Sequence, residues 1–289
     1  MQEHFHFTTN QAKIQKQYAA ILSIVITQLS YIEAHLERRN RHLLKQNDEV
    51  IIAVHILGKL FGFMSERAWH RFVVGNLFTE ESFPERSRYN RRCRLLRWAI
   101  KWIRHQLKHG QHHAYAVVDS LPIELCHSAR ISRVKRLREV ADTGYCASKK
   151  AFFYGVKLHI QITDQSLPMG YVVAAASYHD RTVAEEVMTQ LPHPYTLGDK
   201  GYVSQLLQEK LHRQYGIAFW TPSRKNQRVS HAKEWTEWMR RKRKIVETTF
   251  SVLVDSFHIT SIRANSVEGF ETALDGILLA YTLVVLGLV

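Results

Sequence analysis

The spacing of apolar residues changes once along the 289-residue chain, close to Gly110. Before this glycine, apolar residues recur every three or four positions, a pattern that predicts helices, the first of them over residues 10–46. After it, the segment AYAVVDS alternates and is rich in β-formers, as a strand would be. The change predicts an all-α domain over residues 1–110 and a second domain over residues 111–289.

The second domain shows the pattern of a mixed α/β fold. Its elements are predicted in the order β, β-hairpin, α, β, α, β, α, with the hairpin formed by FYGVKLHIQIT and YVVAAASYHD. A capping box of Thr182 and Glu185 predicts where the helix after the hairpin begins. The apolar segment from Phe270 onward predicts a final amphipathic helix. We expect this helix to pack against the sheet and not to form a dimer or membrane surface.

Net charge restricts the partners of the chain. It holds 40 Lys and Arg against 26 Asp and Glu, which gives a formal charge of +14 and predicts attraction to a polyanion. Nucleic acid is the leading candidate, and an anionic membrane surface is the alternative. The apolar tail over residues 277–289 is shorter than the roughly 20 residues of a membrane span. Three scattered cysteines and no apparent secretory signal favour a reducing cytoplasm.

The most basic segment lies at the end of the first domain. Residues 86–108 contain nine Lys or Arg and no acid. If they form one helix, five of the basic residues share a face, whereas aliphatic residues gather about a third of a turn away. We favour phosphate contact by this face over a merely solvated basic surface, and core packing over base stacking for Trp98 and Trp102. The five residues are Arg94, Arg97, Lys101, Arg104 and Lys108.

Three acids stand at positions that suit metal ligands. Asp119 follows the β-rich run of VVDSLPI, Asp199 follows the strand-like run YTLG, and Glu247 lies in the long helix predicted from about Trp235 to Phe257. Mg²⁺ and Mn²⁺ prefer oxygen ligands, and two such ions can promote in-line displacement at phosphorus. We therefore hypothesise that these three carboxylates meet in space and hold two ions.

Each acid also has an ordinary structural explanation. Asp119 could be a turn or N-cap acid of DSLP, and Asp199 could hydrogen-bond its own backbone within GDKG. Glu247 could form a helix-surface ion pair with the basic cluster at residues 240–244. Asp180 competes for a place in the site, because it follows a strand and the capping box leaves it without an obvious structural role.

Several of these segments together resemble one protein family. VVDSLPI, LGDKGY and RKRKIVETTFSVL look like the three acidic motifs of the DDE transposases of bacterial insertion sequences. SRYNRRCRLL, GYCASKKAFFYGVKLH and TPSRKNQR make the insertion sequence 982 family the closest resemblance. The likeness covers roughly residues 80–265, and its specificity comes from the order of several motifs.

The resemblance implies a function and an architecture. It implies a ribonuclease H-like catalytic domain that uses two Mg²⁺ or Mn²⁺ ions to hydrolyse DNA at the ends of an element and to transfer the freed strands. Asp119, Asp199 and Glu247 would be the catalytic and metal-binding triad. The partners would be double-stranded DNA, both terminal repeats and target, and a second copy of the chain on DNA. The location would be the bacterial cytoplasm, at the nucleoid.

Related transposases carry a Tyr-x2-Arg-x3-Glu-x6-Lys signature around the glutamate. Arg243 fills the Arg position here, but Arg240 and Val254 stand at the Tyr and Lys positions. We expect Arg240, Arg243 and Lys244 to contact the DNA backbone, together with the basic segment at residues 130–150, which is predicted to be a loop. The rival readings are a nuclease or resolvase that does not join strands, and a catalytically silent DNA-binding protein.

Overall fold

The computed structural model describes residues 2–36, 41–108, 111–146, 150–223 and 232–289. The α-helices are α1 (Gln2–Leu29), α2 (Asp48–Leu60), α3 (Glu66–Asn76), α4 (Arg86–Leu95), α5 (Arg97–Gln106), α6 (Asp180–Thr189), α7 (Gln205–Tyr215), α8 (Lys233–Asp255) and α9 (Val267–Val285). The strands are β1 (Ala116–Glu124), β2 (Asp142–Cys146), β3 (Ala151–Thr163), β4 (Pro168–Ala175), β5 (Tyr195–Gly198) and β6 (Ala218–Trp220). Short 3₁₀ helices lie at Ser30–Leu36, Arg41–Leu43, Ser128–Arg133, Lys200–Tyr202 and Ile259–Ser261.

The chain divides into two compact units. The first comprises residues 1–109 and 256–289, and the second comprises residues 110–255. The helical first part and the mixed α/β second part agree with the prediction. The helix predicted over residues 10–46 instead ends at Leu29 and is followed by 3₁₀ turns, with residues 37–40 outside the described part. Within the described ranges, no helix combines the length and the apolar character needed to cross a membrane.

The last helix belongs to the helical unit and not to the sheet. Within that unit, α9 packs against α2 and α5, so the expectation that it packs on the sheet is wrong. Residues 272–283 are all buried, and a helix that is apolar on every side is surrounded by other elements. The predicted second domain, residues 111–289, therefore exceeds the compact α/β unit by the segment that contains α9.

The predicted basic helix over residues 86–108 is two helices, α4 and α5, which meet at Leu96. The prediction that five of its basic residues share an outward face is wrong for two of them. Arg104 is fully buried with its Nη2 4.0 Å from Oδ1 of Asp275 on α9, and Lys108 is also buried. The reason is that part of the basic side of α5 faces α9, where Asp275 supplies a negative charge.

The other three basic residues of that face remain at the surface to different degrees. Arg94 is exposed, Lys101 is partly exposed, and Arg97 is partly exposed and forms an ion pair with Glu271 of α9. Contact of these three with DNA stays a prediction. Trp98, which we expected in the core, is exposed.

A buried ion pair joins α2 to α4. Asp48 is the first residue of α2, and Asn47 takes the N-cap position. Arg92 donates from Nε and Nη2 to Oδ1 of Asp48, and from Nη1 to the carbonyl of Gln46 at 2.7 Å. Both side chains are buried, so the pair is enclosed within the helical unit.

The second unit is built on a mixed sheet in which β3 is central. On one edge β3 pairs antiparallel with β1, and on the other edge it pairs antiparallel with β2 and then with β4. On its other edge, β1 pairs parallel with β5, and β5 pairs parallel with β6. The β3–β4 hairpin was predicted, whereas β2 was not, because its five residues lie in a basic segment that we expected to be a loop. That segment also includes residues 147–149, which lie outside the described part.

Helices cover the two faces of this sheet. Val118 of β1 belongs to an apolar cluster with Val187 of α6 and Leu211 of α7. α8 packs on β1 and β5. Side chains alternate along a strand, so Asp119 faces away from the α6 layer and toward α8.

Candidate active site

Asp119 and Asp199 lie beside each other where two neighbouring parallel strands separate. The parallel pairing of β1 with β5 ends at Val118 opposite Gly198. The next residues are Asp119, within β1, and Asp199, directly after β5. β5 stops there, whereas β1 continues along β3 to Glu124. Asp119 is therefore not at the end of its strand, as we predicted, but at the point where the neighbouring strand leaves it.

One guanidinium bridges the two carboxylates. Nη2 of Arg243 on α8 lies 3.1 Å from Oδ2 of Asp119, and Nη1 lies 3.0 Å from Oδ1 of Asp199. The exposed fraction of the side chain is 17% for Arg243, 21% for Asp119 and 47% for Asp199. The arrangement thus concentrates two negative charges and one positive charge in a half-sheltered position.

The ordinary explanations for the two aspartates do not describe this geometry. Asp119 lies within a strand and not in a turn, and its Oδ1 accepts a hydrogen bond from the backbone N–H of Ser120 at 2.8 Å. Asp199 precedes the 3₁₀ turn at Lys200–Tyr202, but its side chain makes no cap hydrogen bond. Both carboxylates instead direct an oxygen at Arg243.

The electrostatic environment of Asp119 is balanced between opposing effects. Burial raises the pKa of its carboxyl to about 6, and the neighbouring Asp199 carboxylate acts in the same direction. The hydrogen bond from Ser120 and the charge of Arg243 act to lower that pKa. Like charges at close range disfavour ionisation, and the Arg243 cation opposes this effect on the pKa of Asp119.

Glu247 is not brought into contact with this pair. It lies one helical turn after Arg243 on α8, its side chain is exposed, and among the described residues it forms no hydrogen bond or ion pair. The ion pair with its basic neighbours that we considered is accordingly not formed. The part of the chain that the structure describes contains no group of three or more Asp, Glu, His or Cys placed to hold a metal ion.

Asp180, the competing acid, is engaged elsewhere. Its Oδ1 lies 3.1 Å from Nζ of Lys157, and its Oδ2 accepts from the hydroxyl of Ser120 at 3.4 Å. α6 begins at Asp180, with His179 as N-cap, so the capping box that we predicted from Thr182 is wrong. Asp180 has the structural role that the sequence did not reveal.

A buried tyrosine anchors the turn that carries Asp199. The backbone N–H of Tyr202 donates to the carbonyl of Asp199 at 3.0 Å, and its hydroxyl lies 3.0 Å from Nδ1 of His159 on β3. Burial lowers the pKa of His159 to about 4, so the imidazole is neutral at pH 7. Sequence reasoning missed this contact, although a polar residue within the apolar run of β3 was the available signal.

Replacing Tyr202 with Phe is expected to lower the free energy of unfolding by about 1–3 kcal/mol, because Nδ1 of His159 would lose its partner while buried. Urea denaturation followed by circular dichroism measures the change. Tyr195→Phe is the matched control, since Tyr195 is half exposed, and should cost less than about 0.5 kcal/mol. Equal effects for the two variants would show that the hydroxyl of Tyr202 anchors nothing.

The aspartate pair offers the carboxylate oxygens that a hard divalent cation prefers as ligands. Mg²⁺ is commonly held by one or two carboxylates, with water and substrate phosphate completing its coordination. Asp119 and Asp199 present such oxygens, and they already converge on one positive charge. Nε of Arg243 is buried without a hydrogen-bond partner in the described part of the chain, so the guanidinium is only partly satisfied there.

The two other basic residues predicted to contact DNA near the glutamate are exposed on α8. Arg240 is largely exposed, with Nη2 3.8 Å from Oε1 of Glu237, and Lys244 is also exposed. Contact of either residue with DNA stays a prediction.

Comparison with known protein families yields a match over the α/β part of the chain. The sequence model of a family described as transposase DDE domain matches residues 109–267, which include β1 to β6, α8 and all three predicted acids. No curated protein and no solved structure matches the chain.

Proposed function

Because the chain belongs to the transposase DDE domain family, we propose that it is the transposase of a bacterial insertion sequence. It cuts DNA at the ends of the element and joins those ends to target DNA. The observation that carries the proposal is the meeting of Asp119 in β1 with Asp199 directly after the parallel strand β5, where both carboxylates contact one guanidinium. The motifs that flank the acids favour the insertion sequence 982 family.

The strand order supports a ribonuclease H-like architecture for the catalytic unit. β1, β3 and β4 form an antiparallel series, and β5 and β6 extend the sheet in parallel on the other side of β1. The two aspartates then lie where β5 ends beside β1, with Asp119 within a strand and Asp199 directly after one. Catalytic groups on such elements are positioned more accurately than groups on loops.

We assign Asp119, Asp199 and Glu247 as the residues that hold two Mg²⁺ or Mn²⁺ ions. Bound there, the ions would activate an attacking oxygen and stabilise the leaving oxygen of an in-line displacement at phosphorus. Glu247 is assigned from its place in the acidic motif and from its exposed side chain one turn after Arg243. The two strands fix two of the three acids, and α8 supplies the third.

The reaction exchanges one phosphorus–oxygen bond for another in each step. Water displaces the 3′ oxygen at the element end, which leaves a free 3′-hydroxyl. That hydroxyl then displaces a 3′ oxygen in the target strand, so that element and target become joined. No bond energy from a nucleotide cofactor is needed, because the number of phosphodiester bonds is conserved in the joining step.

Exposed and partly exposed basic residues hold the DNA backbones in this proposal. They are Arg94, Arg97 and Lys101 in the helical unit and Arg240 and Lys244 on α8. Arg104 and Lys108 are left out because both are buried. Binding of this kind releases counterions, so it weakens steeply as the salt concentration rises. We further propose that the protein acts on DNA as a homodimer, at the nucleoid.

The experiment that tests the function uses purified protein and the DNA that brackets its reading frame. With Mg²⁺ we expect nicked or cut element ends and, from pre-cleaved ends, covalently joined target products on denaturing gels. EDTA should remove both products. Cutting without joining would replace the proposal with a nuclease or resolvase, and DNA binding with neither product would replace it with a silent DNA-binding protein.

A further inference from the structure

We propose that Arg243 is a resident counter-ion of the Asp119–Asp199 pair, which a divalent ion must displace before it can bind there. The inference rests on the proposed function, since it concerns the same two acids. It adds that metal loading and release of the Arg243 guanidinium are one coupled event. Metal and DNA would then each favour binding of the other through this side chain.

The geometry supports competition and not joint occupation. Each terminal nitrogen of Arg243 lies within 3.1 Å of an oxygen of a different aspartate, so the guanidinium spans the pair. Arg243 contacts Oδ2 of Asp119 and Oδ1 of Asp199, so a metal ion bound by both carboxylates would lie close to this cation. Two positive groups cannot both approach the same two oxygens without strong mutual repulsion.

The charges explain why a counter-ion is useful when no metal is bound. Asp119 of β1 and Asp199, which directly follows β5, lie next to each other, and Asp119 is mostly buried. Without a cation between them, the two carboxylates would repel each other. Arg243 contacts one oxygen of each carboxylate and directs both at one point, so the site is already assembled when an ion arrives.

The position is also one that Arg243 can leave. Its Nε has no hydrogen-bond partner among the described residues, although it is buried. A guanidinium binds a phosphate with paired parallel hydrogen bonds, which makes DNA a suitable alternative acceptor. Arg243 lies within the basic cluster 240–244 of α8, where DNA backbone is expected to pass.

Two ligands that displace the same internal contact bind with positive coupling, and the coupling is reciprocal. DNA that draws Arg243 away exposes the carboxylates to metal, and metal that occupies the carboxylates frees Arg243 for DNA. When no DNA is bound, Arg243 should therefore lower the affinity of the site for metal. This would restrict loading of the site to protein that is bound to DNA.

The test measures Mn²⁺ binding by the full chain, from the electron paramagnetic resonance signal of free Mn²⁺, with and without a short duplex. Without DNA, Arg243→Gln should bind Mn²⁺ about tenfold more tightly than the wild type, a difference of about 1.4 kcal/mol. With the duplex, the wild type should gain affinity and Arg243→Gln should gain little. Arg213→Gln, which removes an exposed arginine from α7, should match the wild type throughout.

Asp199→Asn separates failure of the inference from failure of the proposed function. Equal or weaker Mn²⁺ binding by Arg243→Gln, at a site that Asp199→Asn abolishes, would overturn the inference and leave the function intact. Absence of any Asp199-dependent Mn²⁺ binding would overturn both. If Arg243→Gln does not fold, Arg243→Lys serves, because one ammonium cannot span both carboxylates and severalfold tighter binding is again expected.

Discussion

Asparagine in place of Asp199 is expected to lower Mg²⁺-dependent cleavage and strand transfer by more than about 100-fold. Replacing a residue that only supports a metal ligand typically lowers metal affinity or activity by about 10–100-fold. Replacing a ligand itself should therefore have a larger effect. The amide keeps the size of the side chain but removes the negative charge that a divalent cation needs. Cleavage of an end-labelled duplex at saturating protein measures the rate.

The same substitution should leave the fold nearly unchanged. Asp199 is about half exposed, it makes no cap hydrogen bond, and a partly exposed ion pair contributes only about 0–1 kcal/mol. Asp255→Asn is the matched control, since Asp255 is exposed near the end of α8 and bonds to Ser251. Full activity in Asp199→Asn would remove Asp199 from the catalytic site.

The aspartate pair shows what the sequence could reveal about the site. Each acid follows a short apolar run that predicts a buried strand, and acids so placed are more useful as ligands than as core residues. The order of motifs then pointed to the family that the comparison confirms. The pairing of β1 with β5 could not be seen in this way, because it depends on hydrogen bonds between segments separated by a hairpin and a helix.

The basic face of residues 86–108 shows where pattern reasoning fails. Helical spacing gives the angle between two side chains but not the direction in which either points. Whether a basic side faces solvent or protein depends on the partner, and Asp275 and Glu271 lie far along the chain on α9. Arg104 was therefore predicted to be exposed, although it is fully buried against its acid.

Arg243 illustrates a third case, in which the residue was selected but its contact was not. Its place in a signature of related transposases suggested a phosphate contact. The position of Glu247 beside the basic cluster at residues 240–244 also suggested an ion pair on the helix surface. The structure instead directs Arg243 at two aspartates on the sheet, because α8 packs on β1 and β5. Only the packing of α8 distinguishes these outcomes.

Alanine in place of Asp48 is expected to lower the free energy of unfolding by about 3–5 kcal/mol, the usual cost of removing one partner from a buried ion pair. Arg92 would keep its bond to the carbonyl of Gln46 but would retain a buried charge without its carboxylate. The pair joins α2 to α4, so its loss also weakens the contact between those helices. Urea denaturation of the full chain measures the change.

Two further variants distinguish a buried charge from a general loss of contacts. Glu237→Ala breaks the exposed pair with Arg240 and should cost at most about 1 kcal/mol. Combining Asp48→Leu with Arg92→Met removes both charges, and apolar replacement of a whole buried pair is often neutral or stabilising. The double variant should therefore be more stable than Asp48→Ala. If it is equally unstable, the pair acts through shape and not through charge, and the α2–α4 contact does not depend on burying an arginine beside its acid.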